Sequence, residues 1–163
     1  MNERIFMRKN CRDFCNCQKG RILGLDIGDK TIGISISDEL QMVASSVTII
    51  NRTSAKRDLS AFEELIKQLK PIAILYGWPL QMNGIPGLQC EKVQEFINLI
   101  ESIYPEIPLI EWDERFSTKV TDSVLIGADM SRKRRKSIID KMAATYILQG
   151  ALDLINNLRR GNA

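Results

Sequence analysis

Residues 21–50 carry three apolar, β-branched runs joined by links too short to hold a helix. Arg21–Ile27 is nearly continuous and is closed by Gly28. Gly28-Asp29-Lys30 turns into Thr31–Ser37, where isoleucine alternates with small polar residues as in a strand with one buried face. Val43–Ile50 is the third run, and the short links make the trio an antiparallel meander. Helical spacing then runs over Ser54–Lys70 through Leu59, Phe62, Leu65, Ile66 and Leu69, and Pro71 ends it. Ile72–Tyr76 reads as a buried strand, followed by a loop of turn formers over Gly77–Gly84. Gln89–Tyr104 is helical, Pro108–Trp112 is the fifth strand, and Ser117–Gly127 is a helix capped by Ser117 or Thr118. The last helix runs from about Ser137 to Leu158. Three consecutive strands followed by alternating helices and strands predict an α/β fold, a five-stranded mixed sheet flanked by helices. Residues 1–20, polar and charged, read as a flexible tail ahead of one domain over 21–160.

The chain contains no histidine, which excludes Ser-His-Asp and Cys-His catalysis and His-ligated zinc. Hydrolysis would have to use carboxylates, lysine or a metal-bound water. Cys11, Cys15 and Cys17 have no fourth ligand nearby, so with Cys90 they read as reduced thiols. No apolar run approaches the ~20 residues of a membrane span, and the first residues lack the apolar stretch of a secretory signal. A cytoplasmic protein without membrane attachment is expected. The net charge of +3 arises within residues 1–20, where five cations face Glu3 and Asp13. Overall charge is therefore a weak argument for a polyanionic partner, and a local cluster has to carry it.

Asp26 is the first candidate for chemistry. An ionised carboxylate set in an apolar strand costs several kcal/mol unless something positive pairs with it. No Lys or Arg interrupts Ile22–Gly28, so a metal ion is the natural partner, and Gly24 and Gly28 leave room for it. The bland alternative is a carboxylate hydrogen-bonded to the glycine turn. Glu114 lies at the end of the fifth strand, where ligands collect in open sheets. Strand register decides between it and Asp113, so Glu114 is the candidate and Asp113 the reserve. Asp140 shares a helix face with Ala144, Ile147, Ala151, Leu154 and Leu158. A helix-start acid complementing the macrodipole, worth ~0.3–1 kcal/mol, would explain its place along the helix but not its face.

Arg132-Lys133-Arg134-Arg135-Lys136 precedes it, and a phosphate backbone would relieve the mutual repulsion of these cations. A solvated loop is the bland alternative. Lys30 and Arg115 adjoin two of the acids and are candidates to hold a scissile phosphate. Together these residues suggest phosphodiester hydrolysis with two divalent ions about 3.5–4 Å apart. Mg2+ or Mn2+ suits all-oxygen ligands.

Four groups of residues carry a resemblance: Gly24-Leu25-Asp26-Ile27-Gly28 with Lys30, Ile32-Gly33 and Ser37-Asp38; Gly77-Trp78-Pro79-Leu80 with Asn83-Gly84; Asp113-Glu114-Arg115 with Ser117-Thr118; and Asp140-Lys141-Met142-Ala143-Ala144 with Ile147-Leu148-Gln149. In this order and spacing they resemble the YqgF (RuvX) family of pre-16S rRNA nucleases, also described as Holliday-junction resolvase-like, over about residues 21–158. The resemblance implies a ribonuclease H-like three-layer fold with Asp26, Glu114 and Asp140 as the catalytic, metal-binding acids. It implies processing of the 5′ end of 16S rRNA precursors in ribosome biogenesis. A monomer or weak dimer with pre-rRNA and ribosomal particles as partners is expected. Branched DNA cleaved by a Holliday junction resolvase is the alternative substrate. Trp78, Asn83 and Asp29 depart from the family pattern, Asp29 adding negative charge near the proposed metals. A non-catalytic nucleic-acid-binding module of the same fold would be expected to have lost an acid. A sugar-kinase or actin-like ATPase would need a second lobe.

Overall fold

The structure, a computed structural model, describes residues 19–79, 88–113 and 132–161, the last segment with its side chains from Met142 onward. β1 (Ile22–Ile27) lies at the centre of a five-stranded sheet of order β3-β2-β1-β4-β5. β2 (Thr31–Ser37) pairs antiparallel with β1, from Leu23 opposite Ile36 to Ile27 opposite Ile32, and β3 (Ala44–Asn51) pairs antiparallel with β2. β4 (Ala73–Trp78) and β5 (Leu109–Asp113) add parallel strands on the other side. The carboxyl ends of β1, β4 and β5 therefore share one edge of the sheet.

Alternation divides the sheet into two buried faces. Leu23, Leu25, Ile32, Ile34, Ile74 and Tyr76 join a core beneath α1 (Ala55–Leu69) and α2 (Leu88–Ile103). Phe62 of α1 meets Phe96 of α2 edge to face, 6.0 Å between centroids. Ile22, Ala73, Leu75, Ile110 and Trp112 face the other way and meet Ile147, Leu148, Ala151, Leu152 and Ile155 of α3 (Arg132–Gly161). The result is a three-layer α/β fold. Among the described residues no helix is long and apolar enough to cross a membrane.

The polar face of β2 departs from the expectation of a one-sided strand, because Ser35 and Ser37 are buried as fully as the isoleucines. α3 covers that face. Ser35 Oγ donates to the Ala144 carbonyl at 2.8 Å, and Ser37 Oγ accepts the Ile22 N–H at 2.8 Å. Small side chains on the strand let the helix backbone come close, and each hydroxyl is answered. Gln149 adds a second tie, accepting the Ala44 N–H at 2.8 Å and donating to the Met42 carbonyl at 3.0 Å.

α1 begins and ends where its punctuation places it. Ser54, extended at φ −153°, accepts the Arg57 N–H, and Lys70 closes the helix in the left-handed region at φ 47° just before Pro71. β4 runs on through Gly77 and Trp78, which the sequence had placed in a loop, because Trp78 pairs with Asp113 and buries its ring in the α1–α2 layer. α3 starts at Arg132 instead of about Ser137. Lys and Arg are good helix formers, and that preference carries the helix back through the basic run. The predicted helix over Ser117–Gly127 lies outside the described residues.

Asp38 closes the β2–β3 turn by accepting the Met42 and Val43 N–H groups at 2.7 and 2.9 Å. Those backbone bonds, the Val43 one foremost, hold its pKa below the ordinary carboxylate value. A depressed folded pKa contributes stability that is present above pH ~4 and lost as pH falls through the lower folded value. Asp38→Ala should lower stability by about 1 kcal/mol in urea unfolding at neutral pH, with a smaller difference near pH 2. A loss that stayed the same at both pH values would contradict this role.

Candidate active site at the carboxyl edge of the parallel strands

Asp26 is the penultimate residue of β1 and stands half-buried on the face covered by α3, two positions beyond Gly24. Its antiparallel neighbour is Gly33, and one step past the Leu25–Tyr76 pair the parallel register places Gly77 on its other side. The strands flanking the carboxylate thus carry no side chains at its level. That is a cradle a larger residue would fill.

α3 reaches the same level. A Cβ on Gly24 would lie 2.9 Å from the Leu148 Cβ and 3.3 Å from the Ala144 carbonyl, so strand and helix are in close contact there. Gln41, which donates to the Gly20 carbonyl just before β1, accepts from Asn156 and Arg159 near the end of α3, so β1 and α3 run in opposite directions. Two residues along a strand advance about 6.6 Å and one helical turn about 5.4 Å. The backbone therefore brings the turn of α3 that carries Asp140 to the level of Asp26. The buried stripe of α3 follows Ala144, Leu148, Ala151 and Ile155, with Leu154 only partly buried, so the sequence's choice of Leu154 and Leu158 sits on the flank. By helical spacing Asp140 lies one turn before Ala144. Because α3 begins at Arg132, Asp140 is not in the first turn, and no acidic residue is. The macrodipole falls off within a turn and does not account for it.

β5 answers the register question for Asp113. Ile110 and Trp112 point to the α3 side, and a Cβ on Gly150 of α3 would meet the Trp112 ring at 3.3 Å. Leu109 and Asp113 alternate to the opposite face, where Asp113 is 5 % exposed beside Trp78. Asp113 therefore faces away from Asp26. Glu114 and Arg115 lie outside the described residues, as does the loop from Leu80 to Gly87. Arg132, Lys133, Arg134, Arg135 and Lys136 form the start of α3, with only their backbone described. Among the described residues no group of three His, Cys, Asp or Glu side chains converges, and two of the three proposed ligands fall outside what is described at side-chain level.

Lys30 is exposed on the turn that follows Asp26. Asp29, on the same turn, is not an uncompensated charge. Lys92 of α2 hydrogen-bonds its carboxylate and, with Arg52 and Lys30 behind it, holds its pKa below the ordinary value. Two further residues were not singled out from the sequence: Arg52 donates Nη1 to the Gly28 carbonyl at 2.9 Å, and Gln89 donates Nε2 to the Ile27 carbonyl at 2.9 Å. No motif announces such contacts, because each joins segments far apart in sequence through a backbone carbonyl.

An oxygen donor at the end of a central strand, between two glycine positions, suits a hard divalent cation. The chain's lack of histidine removes the commonest donor for softer metals.

Comparison with known proteins follows the same outline. A protein of Clostridium kluyveri, provisionally named a pre-16S rRNA nuclease, is 47% identical over 136 residues, which is 83% of this chain and 98% of that protein. A protein of Clostridium novyi with the same name is 45% identical over 135 residues, 83% of this chain and 99% of its own. Among solved structures, the yeast mitochondrial Holliday junction resolvase Ydc2 superposes with a TM-score of 0.52 at 14% identity, covering 91% of this chain and 87% of that one. T. thermophilus RuvC in complex with Holliday junction substrate gives a TM-score of 0.50 at 14% identity, covering 82% and 93%. These two share the fold, which is ribonuclease H-like. The profile of the RuvX family, described as Holliday junction resolvase, matches residues 20–154, and the chain belongs to that family.

Proposed function

We propose that this protein is a divalent-metal-dependent nuclease that processes the 5′ end of pre-16S rRNA, with Asp26, Glu114 and Asp140 as its catalytic acids. The observation that carries the reading is the placement of Asp26, half-buried between glycine positions at the level of the α3 turn bearing Asp140. Asp113 turns to the opposite face, which supports Glu114, the next acid in sequence, as the third ligand. Mg2+ or Mn2+ held there would polarise a phosphodiester and generate a nucleophile at neutral pH. The chain's own contribution would be to present three carboxylates together at the end of the central strand. The exposed Lys30, together with Arg115, would bind and orient the scissile phosphate, and Arg132–Lys136 would hold the flanking backbone.

The choice of pre-rRNA rests on relatives at 45–47% identity. Branched DNA is the second reading, favoured by the family description and by the fold shared with the resolvases. Cleavage with Mn2+ of precursor rRNA and of a four-way junction, measured side by side, tests both. The proposal expects the RNA to be cut at its 5′ extension, whereas preferential, symmetric cutting of the junction would select the resolvase reading.

Charge reversal at Arg134 and Arg135 should weaken nucleic-acid binding and reduce the slope of log K against log salt by about 2. An unchanged slope would mean that the basic turn of α3 is only a solvated surface.

A further inference from the structure

The turn that follows Asp26 is held from outside at each of its four residues. Gln89, in the first turn of α2, donates to the Ile27 carbonyl at 2.9 Å. Arg52, just past β3, donates its guanidinium Nη1 to the Gly28 carbonyl at 2.9 Å and its backbone N–H to the Lys30 carbonyl at 2.9 Å. Lys92 carries the Asp29 carboxylate. Arg52 is itself constrained: its Nε lies 3.5 Å from Asp58 Oδ2, and its guanidinium stands 5.9 Å from the centre of the Phe96 ring. The other Asp58 oxygen accepts the Thr53 N–H at 3.0 Å.

A turn this short closes without such help, since Gly28 N–H already reaches the Thr31 carbonyl at 2.9 Å. Nor is the Arg52–Asp58 pair well explained by stability. Its side chains are only 21% and 3% exposed, and buried ion pairs are often matched or exceeded by apolar residues of similar volume. What the contacts do achieve is rigidity two residues from Asp26, at a glycine that would otherwise be the softest point of the turn. A functional carboxylate has to be held within about 0.5 Å of its working geometry by such supports.

We propose that Arg52 is a positioning residue for the reaction at Asp26, clamping the Gly28 and Lys30 carbonyls so that the Asp26 carboxylate keeps one arrangement. The proposal rests on the nuclease reading and extends it to a residue outside the acid trio. The test compares wild type with Arg52→Met and Arg52→Lys, reading amide hydrogen exchange at Gly28–Lys30, nucleic-acid affinity, and kcat and KM for Mn2+-dependent cleavage. Arg52→Met should exchange faster at the turn and lose about 10-fold or more in kcat, as outer-shell supports do, while affinity and KM move by no more than about 2-fold. Arg52→Lys should recover part of the loss. Should Arg52→Met fail to fold, Gln89→Leu removes the neighbouring support and should lower kcat in the same way. Faster exchange with unchanged kcat, or a loss confined to KM, would overturn the positioning role. A wild type without metal-dependent cleavage on any substrate would instead sink the nuclease reading on which the role rests, even where exchange shows the clamp to be real.

Discussion

Asp26→Asn should abolish metal-dependent cleavage while nucleic-acid affinity stays the same or rises. Removing an outer-shell partner of a metal ligand costs about 10–100-fold, so neutralising a ligand should cost more than the top of that range. Affinity should hold because, on the proposed reading, Lys30 and the basic turn of α3 would act on phosphate through charge, which the substitution leaves untouched or favours by removing a nearby anion. The fold should hold too, since asparagine matches the carboxylate in size and the site is open enough for Asp26 to be only half-buried. Steady-state cleavage, a binding titration and a thermal melt on one preparation separate these outcomes. Cleavage at the wild-type rate would reject Asp26 as a ligand, and a large fall in melting temperature would make its role structural.

Gly24→Ala should be among the most destabilising single substitutions in the molecule. The new methyl would sit 2.3 Å from Ser35 Oγ, 2.9 Å from Leu148 Cβ and 3.3 Å from the Ala144 carbonyl. The serine could rotate away, but only by giving up its 2.8 Å bond to that carbonyl under a buried helix. The Leu148 Cβ is fixed to its backbone and cannot yield without moving α3. Overpacking of this kind costs about 1–3 kcal/mol, and the lost buried hydrogen bond adds roughly 1 kcal/mol. Urea unfolding should therefore show a loss of about 2–4 kcal/mol, and because α3 carries Asp140, cleavage should fall even where the protein remains folded. A change below about 0.5 kcal/mol, within the range of surface substitutions, would mean that α3 does not pack on β1 this closely.

Much of this arrangement was legible because the relevant signals are local. Alternating isoleucines gave β2 its exact bounds, and Ser54 and Pro71 bracketed α1. Asp26 stood out because a charge in an apolar strand is costly wherever the strand lies. What was misread depends on neighbours distant in sequence. The serines of β2 looked solvent-facing until α3 was seen to lie on them, and Trp78 looked like loop until Asp113 paired beside it. The face that Asp113 takes is likewise a question of register that no local pattern answers. Arg52 was invisible for a similar reason, since a guanidinium reaching a carbonyl 24 positions away leaves no spacing to detect. The basic run stands out by charge alone, but that it opens α3 follows from the helix propensity of Lys and Arg, which like-charge repulsion opposes.

The central claim is that Asp26, Glu114 and Asp140 together hold divalent metal. Anomalous scattering from Mn2+ in crystals of the protein with an uncleavable nucleic-acid substrate tests it most directly. The account predicts a peak about 2.1 Å from an oxygen of Asp26 and within coordinating distance of Glu114 and Asp140. Full Mn2+ occupancy elsewhere, with no density at Asp26, would contradict it.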